Sequence, residues 1–128
     1  MQRFIQRKTE FSNAYERLKE ALNEEESEIV IDGALHRFEF TFELAWKSLK
    51  AYLEYMGLTE KTGSPREIIQ QAFKQGIIED GESWINMMLS RNTLSHLYDE
   101  KASRDVFTRI KKEYIKLFEN LNEKYKNM

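Results

Sequence analysis

The stretch SEIVIDGALHRFEFTFELAWKSLKAYLEYMG, residues 27–57, decides the fold. Its apolar residues Ile31, Leu35, Phe38, Phe42, Ala45, Trp46, Leu49, Leu53 and Met56 recur at spacings of three and four, the period of one helical face. Ser27 stands where an N-cap side chain is needed, and Gly57 can take the left-handed conformation that stops a helix. On this reading Phe42 and Trp46 are core anchors with no ligand role. A second line, Phe40, Leu44, Ala51 and Tyr55, lies partly off the stripe, so the helix is more apolar than one core requires. That surplus predicts a partner surface, and a two-fold contact in a homodimer would bury it in both copies at once.

Working outward, Phe4, Phe11, Ala14, Leu18, Ala21 and Leu22 predict an amphipathic first helix that ends in the acidic run Asn23 to Glu28. On the other side, residues 58–63 are a polar connection. Ser64-Pro65-Arg66-Glu67 then combines a capping serine, a proline at the first helical position and a glutamate placed for a capping box. A short third helix carries Ile68, Ile69, Ala72 and Phe73 and stops at Gly76. Asp80 caps a fourth with Trp84, Met87, Met88 and Leu89. Ser103 is placed to cap a last helix whose stripe is Val106, Ile110, Tyr114, Leu117 and Leu121, flanked by Phe107, Phe118 and Tyr125. The fold class predicted is all-α, an antiparallel up-and-down four-helix bundle with one additional short helix. Without a repeat or low-complexity linker, residues 1–128 read as a single domain.

Composition narrows the function. The 128 residues are 41% hydrophobic and 33% charged, enough for one core without a staple. With no cysteine, thiolate chemistry and zinc fingers are excluded, and the compartment reads as the reducing cytoplasm. Mean hydropathy is -0.69, no apolar run approaches the roughly 20 residues that span a bilayer, and MQRFIQRKTEF lacks the apolar core of a signal peptide, so no membrane is expected. Net charge is -2, without the bulk basic signature of a nucleic-acid binder. The charge is unevenly spread, with ten acids against three bases over residues 9–43 and eight bases against four acids over 101–126, a pattern of solvated helix faces.

Two histidines bound the search for proton chemistry. His36, Glu39 and Glu43 share a helical face, but a bundle metal site also draws ligands from facing helices, so His36 reads as a partly exposed histidine beside carboxylates and no metal is expected. The second histidine lies in RNTLSHLY, residues 91–98, where Asn92 and His96 sit one helical turn apart and Arg91 can reach across. Such a group can grip a phosphate and move a proton, or it can simply cap a helix end. No phosphate-binding glycine loop, paired aspartates or GxSxG elbow is present, so the chain is not itself a nucleotidyltransferase or a serine hydrolase.

Three segments together, HRFEFTFELAWKSLK (36–50), SPREIIQQAFKQGII (64–78) and DGESWINMMLSRNTLSHLYDE (80–100), resemble the nucleotidyltransferase substrate-binding proteins of the HEPN superfamily over nearly the whole chain. The resemblance implies a cytoplasmic helical homodimer encoded beside a minimal nucleotidyltransferase. It implies that the R-x4-H motif, Arg91 to His96, is the catalytic pair of a metal-independent ribonuclease that needs no cofactor, with Asn92 supporting phosphate binding. It further implies a toxin-antitoxin pair in which the partner silences the protein by adding AMP to Tyr98. Chemically, His96 would accept the 2′-hydroxyl proton while Arg91 offsets charge on the phosphate, and the basic stretch after Lys101 would hold the RNA backbone. The alternative is a noncatalytic subunit in which the same residues hold a nucleotide or other substrate for the nucleotidyltransferase.

Overall fold

The computed structural model describes residues 1–58, 63–94 and 99–128, and among these there is helix but no strand. The helices are α1 (Gln2–Leu22), α2 (Glu28–Tyr55), α3 (Pro65–Lys74), α4 (Gly81–Leu94), α5 (Glu100–Arg109) and α6 (Ile115–Lys126), with a π-helical turn over Ile110–Tyr114 between the last two. Arg109, Ile110, Tyr114 and Ile115 all keep right-handed helical torsions, so α5, the π turn and α6 continue as one long helix. Four long helices and the short α3 therefore make the all-α bundle that the periodicity predicts.

Cross-helix contacts give the directions. Phe4 meets Tyr52 with ring centroids 5.1 Å apart, while Thr41 Oγ1 donates to the Ala14 carbonyl at 3.3 Å and Arg37 Nη1 to the Arg17 carbonyl at 2.6 Å, so α1 and α2 run antiparallel. Phe38 stacks on Tyr114 at 5.7 Å, and Ser48 Oγ lies 2.6 Å from the Tyr125 hydroxyl, so α2 and the last helix run parallel. Trp84 meets Phe118 at 5.9 Å and Ser90 Oγ meets the Tyr114 hydroxyl at 2.7 Å, so α4 runs back against that helix.

The local signals explain most ends. Ser27 Oγ accepts from the Val30 amide at 3.2 Å, and Ser64 Oγ from the Glu67 amide at 3.2 Å with Pro65 at the first helical position. Gly57 and Gly76, at φ of 68° and 78°, each close a helix through paired hydrogen bonds back into its last turn: Leu58 to Leu53 and Gly57 to Glu54, then Ile77 to Ala72 and Gly76 to Phe73. Asp80 accepts from both the backbone and the side chain of Ser83, at 3.0 and 2.6 Å, and these bonds hold its carboxyl below the ordinary carboxylate range.

Three expectations change. Ser103 does not cap the last helix; Asp99 does, accepting from the Lys101 amide at 3.0 Å, and Ser103 lies inside α5. The inner face of that helix also differs, since Phe107, Phe118 and Tyr125 are fully buried while Leu117 is only half-buried. The π turn is the cause: its wider winding keeps Ile110, Tyr114 and Phe118, each four apart, on one side where a regular helix would drift away. Finally, Phe42 is fully buried as predicted, but Trp46 is half-buried at the edge of the core, and Ala51 of the supposed partner line is buried within this chain.

Among the described residues, buried hydroxyls are satisfied. Ser48 donates to the Ala45 carbonyl at 2.6 Å, which leaves Tyr125 to donate to Ser48; desolvation pushes the Tyr125 hydroxyl far above its usual range, so it stays neutral. Among the described residues no helix is long and apolar enough to cross a membrane.

Two stability outcomes follow from this packing. Phe42→Ala is expected to lower unfolding free energy by about 3 to 5 kcal/mol, and Trp46→Ala by clearly less, in denaturant titrations of both variants. Asp80→Ala is expected to cost about 1 kcal/mol at neutral pH as a lost cap. Because the folded carboxyl is depressed, its contribution is present above the unfolded value and fades as pH falls below about 4, so the wild-type and Asp80→Ala stability curves converge in acid.

Candidate functional site

Arg91 lies near the C-terminal end of α4, and the packing just before it fixes where it points. Trp84 is buried between Phe42 and Phe118, with centroids at 6.5 and 5.9 Å. One residue ahead of Arg91, buried Ser90 donates to the Tyr114 hydroxyl, which in turn donates to the Asn86 carbonyl at 3.3 Å. The α4 backbone is thus tied to the last helix at the point where the motif begins.

The Arg91 side chain reaches across to α2. Its Nη2 donates to Glu43 Oε2 at 3.0 Å, a contact between helices 48 residues apart in sequence, and both side chains are about one-third exposed. The same oxygen accepts from the indole N–H of Trp46 at 3.0 Å, while Lys47 Nζ sits 3.4 Å from Glu43 Oε1. Arg91 Nη1 also lies 3.4 Å from Asn92 Oδ1. One carboxylate on α2 therefore gathers an indole N–H, a guanidinium and an ammonium. A guanidinium has five N–H donors, so a single bond to Glu43 leaves it able to meet a phosphate.

Of the four candidate site residues, Arg91 and Asn92 are together on α4; His96 and Tyr98 lie outside the described residues, as does Ser95. Glu43 shares a helical face with His36, yet its carboxylate is engaged by another helix. It turns to Arg91, whereas exposed His36 packs its ring edge-on against Phe40 at 5.5 Å. No group of three metal-ligating side chains forms among the described residues. The helical period put Trp46 on the core stripe and could not show that its N–H serves Glu43, because the partner that gives the pair meaning is on another helix.

The basic stretch after Lys101 is exposed but not uniformly basic in its surroundings. Arg104 shares a small cleft with Glu28, Asp32 and Glu100, and Lys111 lies over the Phe107 ring, 5.6 Å from its centroid.

Comparison with known proteins bears on this geometry. The family model described as "Nucleotidyltransferase substrate binding protein like" matches residues 6–127. The Haemophilus influenzae protein named "Probable ribonuclease HepT" is 32% identical over 84 residues, which is 63% of this chain and 58% of that protein. The match thus spans little over half that relative's length. A Thermus thermophilus protein of known crystal structure superposes with a TM-score of 0.79 at 34% identity, covering 87% of this chain and 94% of that one. A Haemophilus influenzae structure, described as revealing the fold of a substrate binding domain of a nucleotidyltransferase, superposes with a TM-score of 0.82 over 93% of this chain and 98% of that one; at 22% identity it speaks to the fold.

Because the Arg91–Glu43 pair is partly solvated, Arg91→Ala is expected to lower stability by less than about 1 kcal/mol. A melting curve within a few degrees of wild type is the check, and it makes Arg91→Ala a usable probe of function.

Proposed function

We propose that this chain, which belongs to the nucleotidyltransferase substrate binding protein-like family, is a metal-independent ribonuclease of the HEPN kind paired with a nucleotidyltransferase. The observation that carries the proposal is the partly exposed Arg91 guanidinium, held by Glu43 from the neighbouring helix at the head of the sequence Arg91-Asn92-x3-His96. Likeness to a protein named as a probable ribonuclease supports it. Residues 1–128 act as one domain in the cytoplasm.

In this mechanism neutral His96 takes the proton of an RNA 2′-hydroxyl as that oxygen attacks the adjacent phosphorus. The bond from phosphorus to the 5′-oxygen breaks, and the leaving oxygen takes a proton from solvent. Arg91 and Asn92 bind the phosphate oxygens, and Arg91 offsets the charge that grows on them in the transition state. Neither a metal nor a cofactor enters. The acidic whole and the mixed charge around Arg104 favour a restricted set of RNAs over indiscriminate binding of long chains.

Silencing acts at Tyr98. The nucleotidyltransferase directs the Tyr98 phenolic oxygen onto the α-phosphorus of ATP, forming the tyrosyl-AMP bond and releasing pyrophosphate and the phenolic proton. A toxin controlled by its antitoxin is the biological form of such a pair. The family description itself favours a second reading, in which the same residues hold a substrate for the nucleotidyltransferase without cleaving it.

The protein works as a homodimer in this account. Phe40 and Leu44 are half-buried beside Glu43 and Lys47 on α2, and Tyr55 is 47% exposed. A two-fold contact over Phe40 and Leu44 sets two Arg91–Glu43 pairs near each other. Sedimentation at micromolar concentration is expected to show a dimer; a stable monomer would contradict it.

The ribonuclease proposal is tested with purified protein in EDTA. Wild type is expected to cleave RNA, His96→Ala and Arg91→Ala to lose cleavage while remaining folded, and Arg91→Lys to recover little because a point charge does not replace a planar fork. Cleavage persisting in His96→Ala, or abolished by EDTA in wild type, sinks the proposal and promotes the binding-subunit reading. Tyr98→Phe is expected to keep cleavage yet gain no AMP mass with the nucleotidyltransferase and ATP. AMP on that variant would move the acceptor elsewhere.

A further inference from the structure

From the convergence of Trp46, Arg91 and Lys47 on one carboxylate, we infer that Glu43 is a positioning residue. It holds the Arg91 guanidinium in the orientation that meets the substrate phosphate, and is itself held by the Trp46 N–H. This rests on the role proposed for Arg91 above.

The pair does little for the fold. Ion pairs this exposed contribute little to stability, far less than each ring buried between the same helices. A free arginine side chain samples many rotamers, and that freedom is lost when it closes on a phosphate. Fixing Nη2 on Glu43 removes much of that cost beforehand. The anchor is rigid because Phe42 and Ala45, on either side of Glu43 in α2, are fully buried, and buried Ser90 next to Arg91 is bonded to Tyr114. The indole N–H completes the arrangement by selecting one rotamer of the carboxylate, with Oε2 turned toward α4. Glu43 also places a negative charge close to an anionic substrate, so orientation is gained at some expense in affinity.

That trade-off separates positioning from a merely structural role. In Glu43→Gln the amide keeps the shape but loses the charge-assisted bonds. Its kcat on a fluorophore-quencher-labelled single-stranded RNA is expected to fall roughly tenfold or more while KM stays level or drops. Glu43→Asp keeps the charge but falls one methylene short, and is expected to lose kcat as well. Trp46→Phe is expected to lose a few-fold, because it removes the N–H that holds Oε2.

A readout independent of cleavage is the side-chain 15Nε signal of Arg91, assigned by its absence in Arg91→Lys. It is expected to be restricted in wild type and to average like an exposed arginine in Glu43→Gln, with melting temperature little changed. An Arg91 signal equally restricted in Glu43→Gln, or a kcat left intact, overturns the inference. If wild-type protein cleaves no RNA while the Arg91 signal still loosens in Glu43→Gln, the ribonuclease proposal fails and the positioning of Arg91 by Glu43 stands.

Discussion

Rings from four helices meet at one place, and the rest of the molecule is arranged around that contact. Phe118 takes Phe11 of α1, Phe38 of α2 and Trp84 of α4 within 6.2 Å between centroids, while Tyr114 stacks on Phe38 and Phe42 lies against Trp84. Rings of this size bury more apolar area than any other side chains in the core, and their shapes admit few relative placements, so they set helix order and spacing together. The π turn is best understood as a consequence. The ring cluster demands both Tyr114 and Phe118 on the inner side, and the last helix widens locally to supply them.

The same constraint reaches the site. Trp84 fixes the start of α4 in the ring cluster, and Ser90 fixes its later turns through Tyr114, so the residue that follows emerges at a set height opposite Glu43. Tyr114 thus serves packing through its ring and placement of Arg91 through its hydroxyl. Polar and apolar roles separate cleanly here. The rings make the fold, and the carboxylate, guanidinium and indole N–H at its edge orient a charged group that the fold does not need for stability.

Much of this was legible in the chain, for reasons that differ by element. Helix existence follows from apolar spacing, and the ends at Ser27, Gly57, Ser64, Gly76 and Asp80 follow from local chemistry that acts within four residues. Ser103 has the right chemistry for a cap but lies one turn inside the helix, because the cap is set by how far the last helix extends back, to Asp99. The π turn left no local mark, since its cause is the ring cluster on other helices. Arg91 stood out by its spacing from His96, whereas Glu43 looked like a partner for His36 because helical periodicity reports neighbours on one helix only. The link between Glu43 and Arg91 crosses 48 residues, beyond the reach of any pattern in a single sequence.

The chemistry assigned to Arg91 and His96 leaves a signature in its products. Attack by the neighbouring 2′-oxygen, with no metal-bound water, must yield one fragment ending in a 2′,3′-cyclic phosphate and another beginning with a 5′-hydroxyl. Mass spectrometry of a defined RNA cut by the purified protein in EDTA reads those ends directly. Cyclic phosphate and 5′-hydroxyl ends are the predicted result; 3′-hydroxyl and 5′-phosphate ends would contradict it.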